Sequence, residues 1–196
     1  MTTIDVSPNI EAYFETIVHD AIVARRVQAT EAAEHYLAGL LVDYAKGQQP
    51  RTDDAPLTFQ LRDALESSGA ERFSRLQQLG DGVLYLMGFF GASLPQRGAD
   101  PDYIMKVGSS AYGHASAMLR GHEASSGPDV LAELSKKFDR FVGVLGEVAD
   151  GALSVVRDDV SLLRLYERWQ RTGSERLAQN LAGLGLCPMR GDGAVH

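Results

Sequence analysis

Four side chains near the middle of this 196-residue chain could do acid–base or ligand-orienting chemistry if the fold brings them together. Asp81 stands at the head of "LGDGVLYLMGFFGASLP", residues 79–95, with Tyr85 one helical turn later and Phe89 one turn beyond that. Tyr112 and His114 lie in the next segment, "DYIMKVGSSAYGHASAMLRGH". A carboxylate set into an apolar stretch must find a partner or change its pKa. The candidate partners are an arginine from elsewhere in the fold, Tyr112 or His114. Converging, Asp81 and His114 would form an acid–base pair. With Tyr85, Phe89 and Tyr112 they would line a mostly apolar ligand pocket with few polar groups. The plainer alternative is a structural aspartate that bonds the backbone or a tyrosine hydroxyl.

Other constellations carry less. Glu15 and His19, and again Glu31 and His35, are four residues apart and share a helix face. Glutamate and histidine can ligate zinc or iron. Both histidines fall roughly opposite the apolar stripe of their helices, so the pairs should face water as ordinary neighbours and no metal centre is expected. Cys187 has no cysteine to pair with, and an inert small hydrophobe is the preferred reading over a reactive thiol. No P-loop, dinucleotide fingerprint, nucleophile elbow or zinc motif occurs, so no cofactor is expected and the balance leans away from an enzyme. Tyr166 and Trp169 fit a core better than a base-stacking surface. The tripeptide at 190–192, Arg-Gly-Asp, reads as chance.

A net charge of −7, with basic residues scattered among acids, argues against a surface that holds phosphate backbones, and nucleic acid is not an expected partner. The single cysteine and an opening "MTTIDVSPNI" without a basic or apolar leader suit a reducing cytoplasm. The uncharged run from Gly82 to Leu94 is thirteen residues, short of the roughly twenty that a membrane span needs.

The elements that must position these groups are all helical, which predicts an all-α single-domain bundle of about seven helices over 1–188 and a frayed tail at 189–196. Ile10, Tyr13, Phe14, Ile17, Val18, Ala21 and Ile22 recur at three- and four-residue steps, and so do Ala33, Tyr36, Leu37, Leu40, Leu41 and Tyr44. Thr30 is a suitable N-cap for the second helix and Gly47 its stop. A short helix at about 57–66 precedes a longer one at about 70–93. The stripe from Leu131 to Val155 is the most regular, and its apolar flanks Val142, Val144 and Ala149 suit a bundle better than a coiled coil. Gly173 ends the helix before it, Ser174 caps another, and Gly185 with Pro188 ends the last.

In the 70–93 helix the side opposite the apolar face is polar before Asp81 and apolar after it, which predicts a central, fully buried second half. Its glycines lower helix propensity by roughly 1 kcal/mol each. Close helix packing would compensate, with Gly88 and Gly91 meeting Gly108, Ala111 and Ala115 of the next helix. The same small residues could instead form a symmetric subunit interface or a narrow pocket.

"LGDGVLYLMGFF", "DYIMKVGSSAYGHAS" and "LLRLYERWQRTGSERLAQNLAGLG" resemble a family of uncharacterised bacterial all-helical proteins, over about residues 70–188. The resemblance implies a bacterial source and supplies no activity or site residue. The function expected from the sequence is a cytoplasmic interaction or scaffold protein that self-associates or binds a protein partner. The rival is a protein that binds a small molecule or lipid beside Asp81, Tyr85, Tyr112 and His114. A weaker rival is an enzyme that uses Asp81 and His114.

Overall fold

The computed structural model of the chain describes residues 7–47, 55–91, 94, 100–120, 129–153, 166, 168–170 and 172–183. All regular structure among them is helical, as the periodicity requires, and none is strand. The helices are α1 (Ser7–Arg25), α2 (Glu31–Ala45), α3 (Leu57–Glu66), α4 (Gly69–Phe90), α5 (Pro101–Arg120), α6 (Val130–Lys136), α7 (Phe138–Leu153) and α8 (Glu175–Gly183). No helix among the described residues is long and apolar enough to cross a membrane. Cys187, the tail at 189–196 with its Arg-Gly-Asp tripeptide, Val155 and the Gly185–Pro188 helix end lie outside the described residues.

The chain divides into two compact units, 1–145 and 146–196. The sequence gives no boundary within 1–188, because the division falls inside α7, whose apolar periodicity runs on through it. In the second unit Trp169, Leu177 and Leu181 form the core, with Tyr166 and Ala178 against it. Gly173 turns the chain at φ +64°, donates its N–H to the Trp169 carbonyl and lets Ser174 cap α8. Arg168 Nε pairs with the buried carboxylate of Asp150.

In the first unit the helix starts are tied to one another. Thr30 caps α2, its hydroxyl oxygen accepting the Ala33 N–H at 3.2 Å. The same hydroxyl donates to Glu133 of α6 at 2.6 Å, and the Thr30 N–H reaches the other carboxylate oxygen at 3.2 Å. Lys137 donates to Glu133 as well and to the Gln28 carbonyl at 2.7 Å. These bonds hold the Glu133 carboxyl below its ordinary range against the opposing effect of burial. The long stripe from Leu131 is interrupted at Lys137, between α6 and α7, where the backbone leaves helical geometry. Leu131, Leu134, Phe138, Phe141, Leu145 and Val148 are all buried, and so are the flanking Val144 and Ala149. That wide buried face is the bundle pattern.

On the α1–α2 hairpin the two histidines are exposed, as expected, but the pairing differs from the sequence reading. His19 meets Glu34 at 2.8 Å and His35 meets Glu15 at 3.2 Å, so each pair crosses between helices where a four-residue neighbour within one helix was expected. Exposed pairs of this kind contribute little, about 0–1 kcal/mol.

The glycines of α4 and α5 are used for close approach between these two helices, as expected, but the residues that meet them differ from the expected small-residue set. A β-carbon on Gly108 would lie 2.5 Å from the Phe138 ring and 2.7 Å from Val83 Cγ1, so α4 and α7 both crowd that position of α5. Gly88 meets Leu145 of α7, where α5 was expected, and among the described residues Gly91 has Met87 of its own helix nearby. Ala111 and Ala115 are fully buried on α5.

The second half of α4 is fully covered on one side only. Leu79, Val83, Leu84, Met87 and Gly88 are buried; Asp81, Tyr85, Leu86 and Phe89 are half-buried, and Phe90 is 51 % exposed. This corrects the expectation of a fully buried helix. The physical reason is that α5 and α7 can close on the glycine-bearing side, while the other side is held away from α2 by tyrosine rings.

Gly108→Ala should destabilise the protein by about 1–3 kcal/mol, because its methyl group has nowhere to go. Gly39→Ala, in exposed mid-α2 with nothing within 4 Å of the new atom, should stabilise by up to about 1 kcal/mol. Urea unfolding of both variants checks the pair; equal and small effects would mean that α5 is not crowded at Gly108.

A candidate functional site where three helices share one carboxylate

The site is built from two helical series and one intruding ring. Gln77, Asp81, Tyr85 and Phe89 follow one another at four-residue steps along α4, and Tyr36, Leu40 and Tyr44 do the same along α2. Both series run in the same direction, since Tyr36 meets Gln77 and Asp81 while Tyr44 meets Tyr85. The backbones of α2 and α4 do not approach closely, in contrast to α4 and α5, and rings fill the gap between them.

Asp81 Oδ1 accepts two hydrogen bonds, from the Tyr36 hydroxyl of α2 at 2.6 Å and from the Tyr112 hydroxyl of α5 at 2.7 Å. These lengths belong to charge-assisted O–H···O⁻ bonds. Gln77 Nε2 donates to the Tyr36 oxygen at 3.0 Å, fixing that hydroxyl as donor toward the carboxylate. The Tyr36 and Tyr112 rings meet edge to face at 6.5 Å. Tyr112 is fully buried and reaches Asp81 by lying across Gly80, where any β-carbon would come within 2.6 Å of its ring. The glycine before the aspartate is thus what admits the second tyrosine.

One turn along, Tyr85 is sandwiched between two rings. Tyr44 stacks on it at 3.8 Å and 16°, and Phe89 at 4.5 Å and 20°. Phe90 adds an edge contact at 6.2 Å and carries the aromatic surface out to solvent.

Electrostatically the carboxylate is under-compensated. Among the described residues no Arg, Lys or His lies within ion-pair distance of Asp81, and no donor bonds its Oδ2. Burial pushes the Asp81 carboxyl up from 3.8 to about 6; the two tyrosine bonds oppose that shift and the Asp43 charge adds to it. Burial likewise pushes Tyr36, Tyr44 and Tyr112 well up, with the Asp81 charge second, and burial alone raises Tyr85. All four tyrosines therefore stay neutral donors across physiological pH.

Of the residues singled out in sequence, the fold joins Asp81 to Tyr112 directly and places Tyr85 and Phe89 along the same face of α4. His114 is not brought in. It is exposed, because two residues past Tyr112 is a rotation of roughly 200° on the helix. An Asp81–His114 acid–base pair accordingly has no geometry here. Gly88, Gly108, Ala111 and Ala115 line helix contacts on the other side. The sequence reading missed Tyr36 and Tyr44, which it assigned to an apolar stripe. A phenol on a buried stripe needs an acceptor as much as Asp81 needs a donor, and that complementarity was the available signal. No three of His, Cys, Asp and Glu among the described residues come together to hold a metal ion. Comparison with family models, curated proteins and solved structures returned no match.

Because the folded-state carboxyl is raised above its unfolded value, the native state binds the Asp81 proton more tightly than the unfolded chain does. Its contribution to stability should therefore grow as pH falls through about 6 and level off below about 4. Asp81→Asn removes the titration. The stability of the native protein minus that of the variant should rise by on the order of 1–3 kcal/mol between pH 7 and pH 4, with the solvent access of this half-buried group placing it toward the low end. Urea unfolding at several pH values measures the difference, and a flat difference curve would mean that the carboxylate is solvated and ordinary.

Proposed function

We propose that this chain is a small-molecule-binding helical protein whose ligand site is the seam between α2 and α4. The observation that carries the reading is the combination, in one half-buried seam, of an aromatic stack reaching the surface at Phe90 and a carboxylate with one oxygen that no described residue claims. Ligand sites are mostly apolar with a few convergent polar groups, and this seam has that composition. The helices on its two sides are held apart by side chains, which can be displaced more readily than closely packed backbone.

Self-association, the reading that the sequence favours, rested on small-residue or heptad surfaces free to meet a second copy, and the glycine contacts bear on the first of these. Gly88 and Gly108 are instead filled by Leu145, Val83 and Phe138 of the same unit, which leaves the seam as the better-supported site. The single cysteine of the whole sequence supports a reducing, cytoplasmic setting for it.

Saturation-transfer NMR with a library of small amphipathic molecules tests the reading. Binders should appear whose signal is lost in Tyr44→Ala, which removes one plate of the stack, and kept in Tyr103→Ala, an exposed ring on α5. Binders indifferent to Tyr44, or no binders at all, would contradict a ligand site in the seam.

A further inference from the structure

We infer that the seam takes an organic ammonium ion carrying an apolar or aromatic group, with the ammonium on the free oxygen of Asp81 and the apolar part along the Tyr44–Tyr85–Phe89 stack. The inference rests on the seam being a ligand site, as proposed above, and adds the chemical class of the ligand.

The class follows from what the site lacks. A charge withdrawn from water is normally paired, and among the described residues this partly withdrawn carboxylate meets two neutral phenols, both on Oδ1, and no cation. The second acid nearby, Asp43 on α2, adds negative potential to the same region. An anionic ligand would meet two carboxylates and, among the described residues, no cation. A neutral ligand could fill the stack but would leave the charge as it stands. A small hard metal ion needs several oxygen donors, and the described residues offer no cluster of that kind. An ammonium supplies charge, an N–H donor for Oδ2, and affinity for the hydroxyl-bearing edges of the stacked tyrosines. Among the described residues the titratable and charged groups around the site are Tyr36, Asp43 and Tyr44 of α2, Tyr85 of α4 and Tyr112 of α5. The tyrosines are neutral through pH 8, so the pH response of binding between 5 and 7.5 belongs to Asp81.

Isothermal titration calorimetry with benzylammonium, its neutral analogue benzyl alcohol, and benzoate separates the outcomes. Benzylammonium should bind tightest and benzoate not at all. Its affinity should fall about tenfold from pH 7.5 to pH 5, where Asp81 carries its proton and the ammonium is unchanged. Asp81→Asn keeps an acceptor for the tyrosines and removes the charge; it should reduce benzylammonium affinity at least tenfold and benzyl alcohol affinity by a much smaller factor. Tyr85→Leu, which retains the carboxylate, should weaken both. If alcohol and ammonium bind equally, or if affinity ignores both pH and Asp81→Asn, the ligand class is overturned while a ligand site in the seam stands. If no probe binds saturably at millimolar concentration, both are overturned.

Discussion

One oxygen atom organises the first unit of this protein. Asp81 Oδ1 receives a hydroxyl from α2 and another from α5, so a single carboxylate on α4 fixes the register of three helices. Hydrogen bonds to a charged acceptor contribute about 1.5–3 kcal/mol each, and two of them converge here. Burial opposes them and is the larger effect on the proton equilibrium, which is why the carboxyl ends above its ordinary range. The junction is therefore held together by an anion that the fold only partly compensates. The two neighbours of α4 are then placed by opposite means: glycines let α5 and α7 close against one side, and tyrosine rings hold α2 away from the other. The seam exists because of that asymmetry.

The rest of the first unit follows the same economy of shared polar groups. Glu133 binds the start of α2 and Lys137 at once, and Asp129 caps α6 at the Ala132 N–H while accepting the Ser116 hydroxyl of α5 at 2.6 Å. Ser109 and Ser135 each donate to the other's carbonyl, at 3.0 and 2.8 Å, and lock α5 to α6. Apolar packing builds the bundle, while a few acids and serines decide how its helices are rotated about their axes. A helix whose rotation is fixed can present one face, and the face that α4 presents toward α2 is Gln77, Asp81, Tyr85 and Phe89.

Much of this was legible beforehand, and the reason is periodicity. Helix existence, the Thr30 cap, the stop at Gly47 with φ +76° and the turn at Gly173 are all local signals, and local signals survive folding. Asp81 stood out because an acid at the edge of an apolar run is a conflict that tertiary structure has to resolve. What could not be read was who resolves it. Tyr36 lies 45 positions away and looked like another core residue, and no spacing rule links the two. Gly108 meets the expected helix at Val83 but also Phe138, and Gly88 meets Leu145, for the same reason: a missing β-carbon announces a close approach but not the identity of the neighbour. The division inside α7 was invisible because an unbroken apolar stripe crosses it.

The Asp81 carboxylate is half-buried, doubly hydrogen-bonded by tyrosines and, among the described residues, unmatched by a cation. The most direct measurement is a ¹³C NMR titration of the Asp81 side-chain carboxyl, repeated in Tyr36→Phe and Tyr112→Phe. A midpoint near 6 in the native protein, moving upward when either hydroxyl is removed, is the result expected. A midpoint at an ordinary aspartate value near 3.8, indifferent to both substitutions, would mean that the three helices are not joined through this carboxylate.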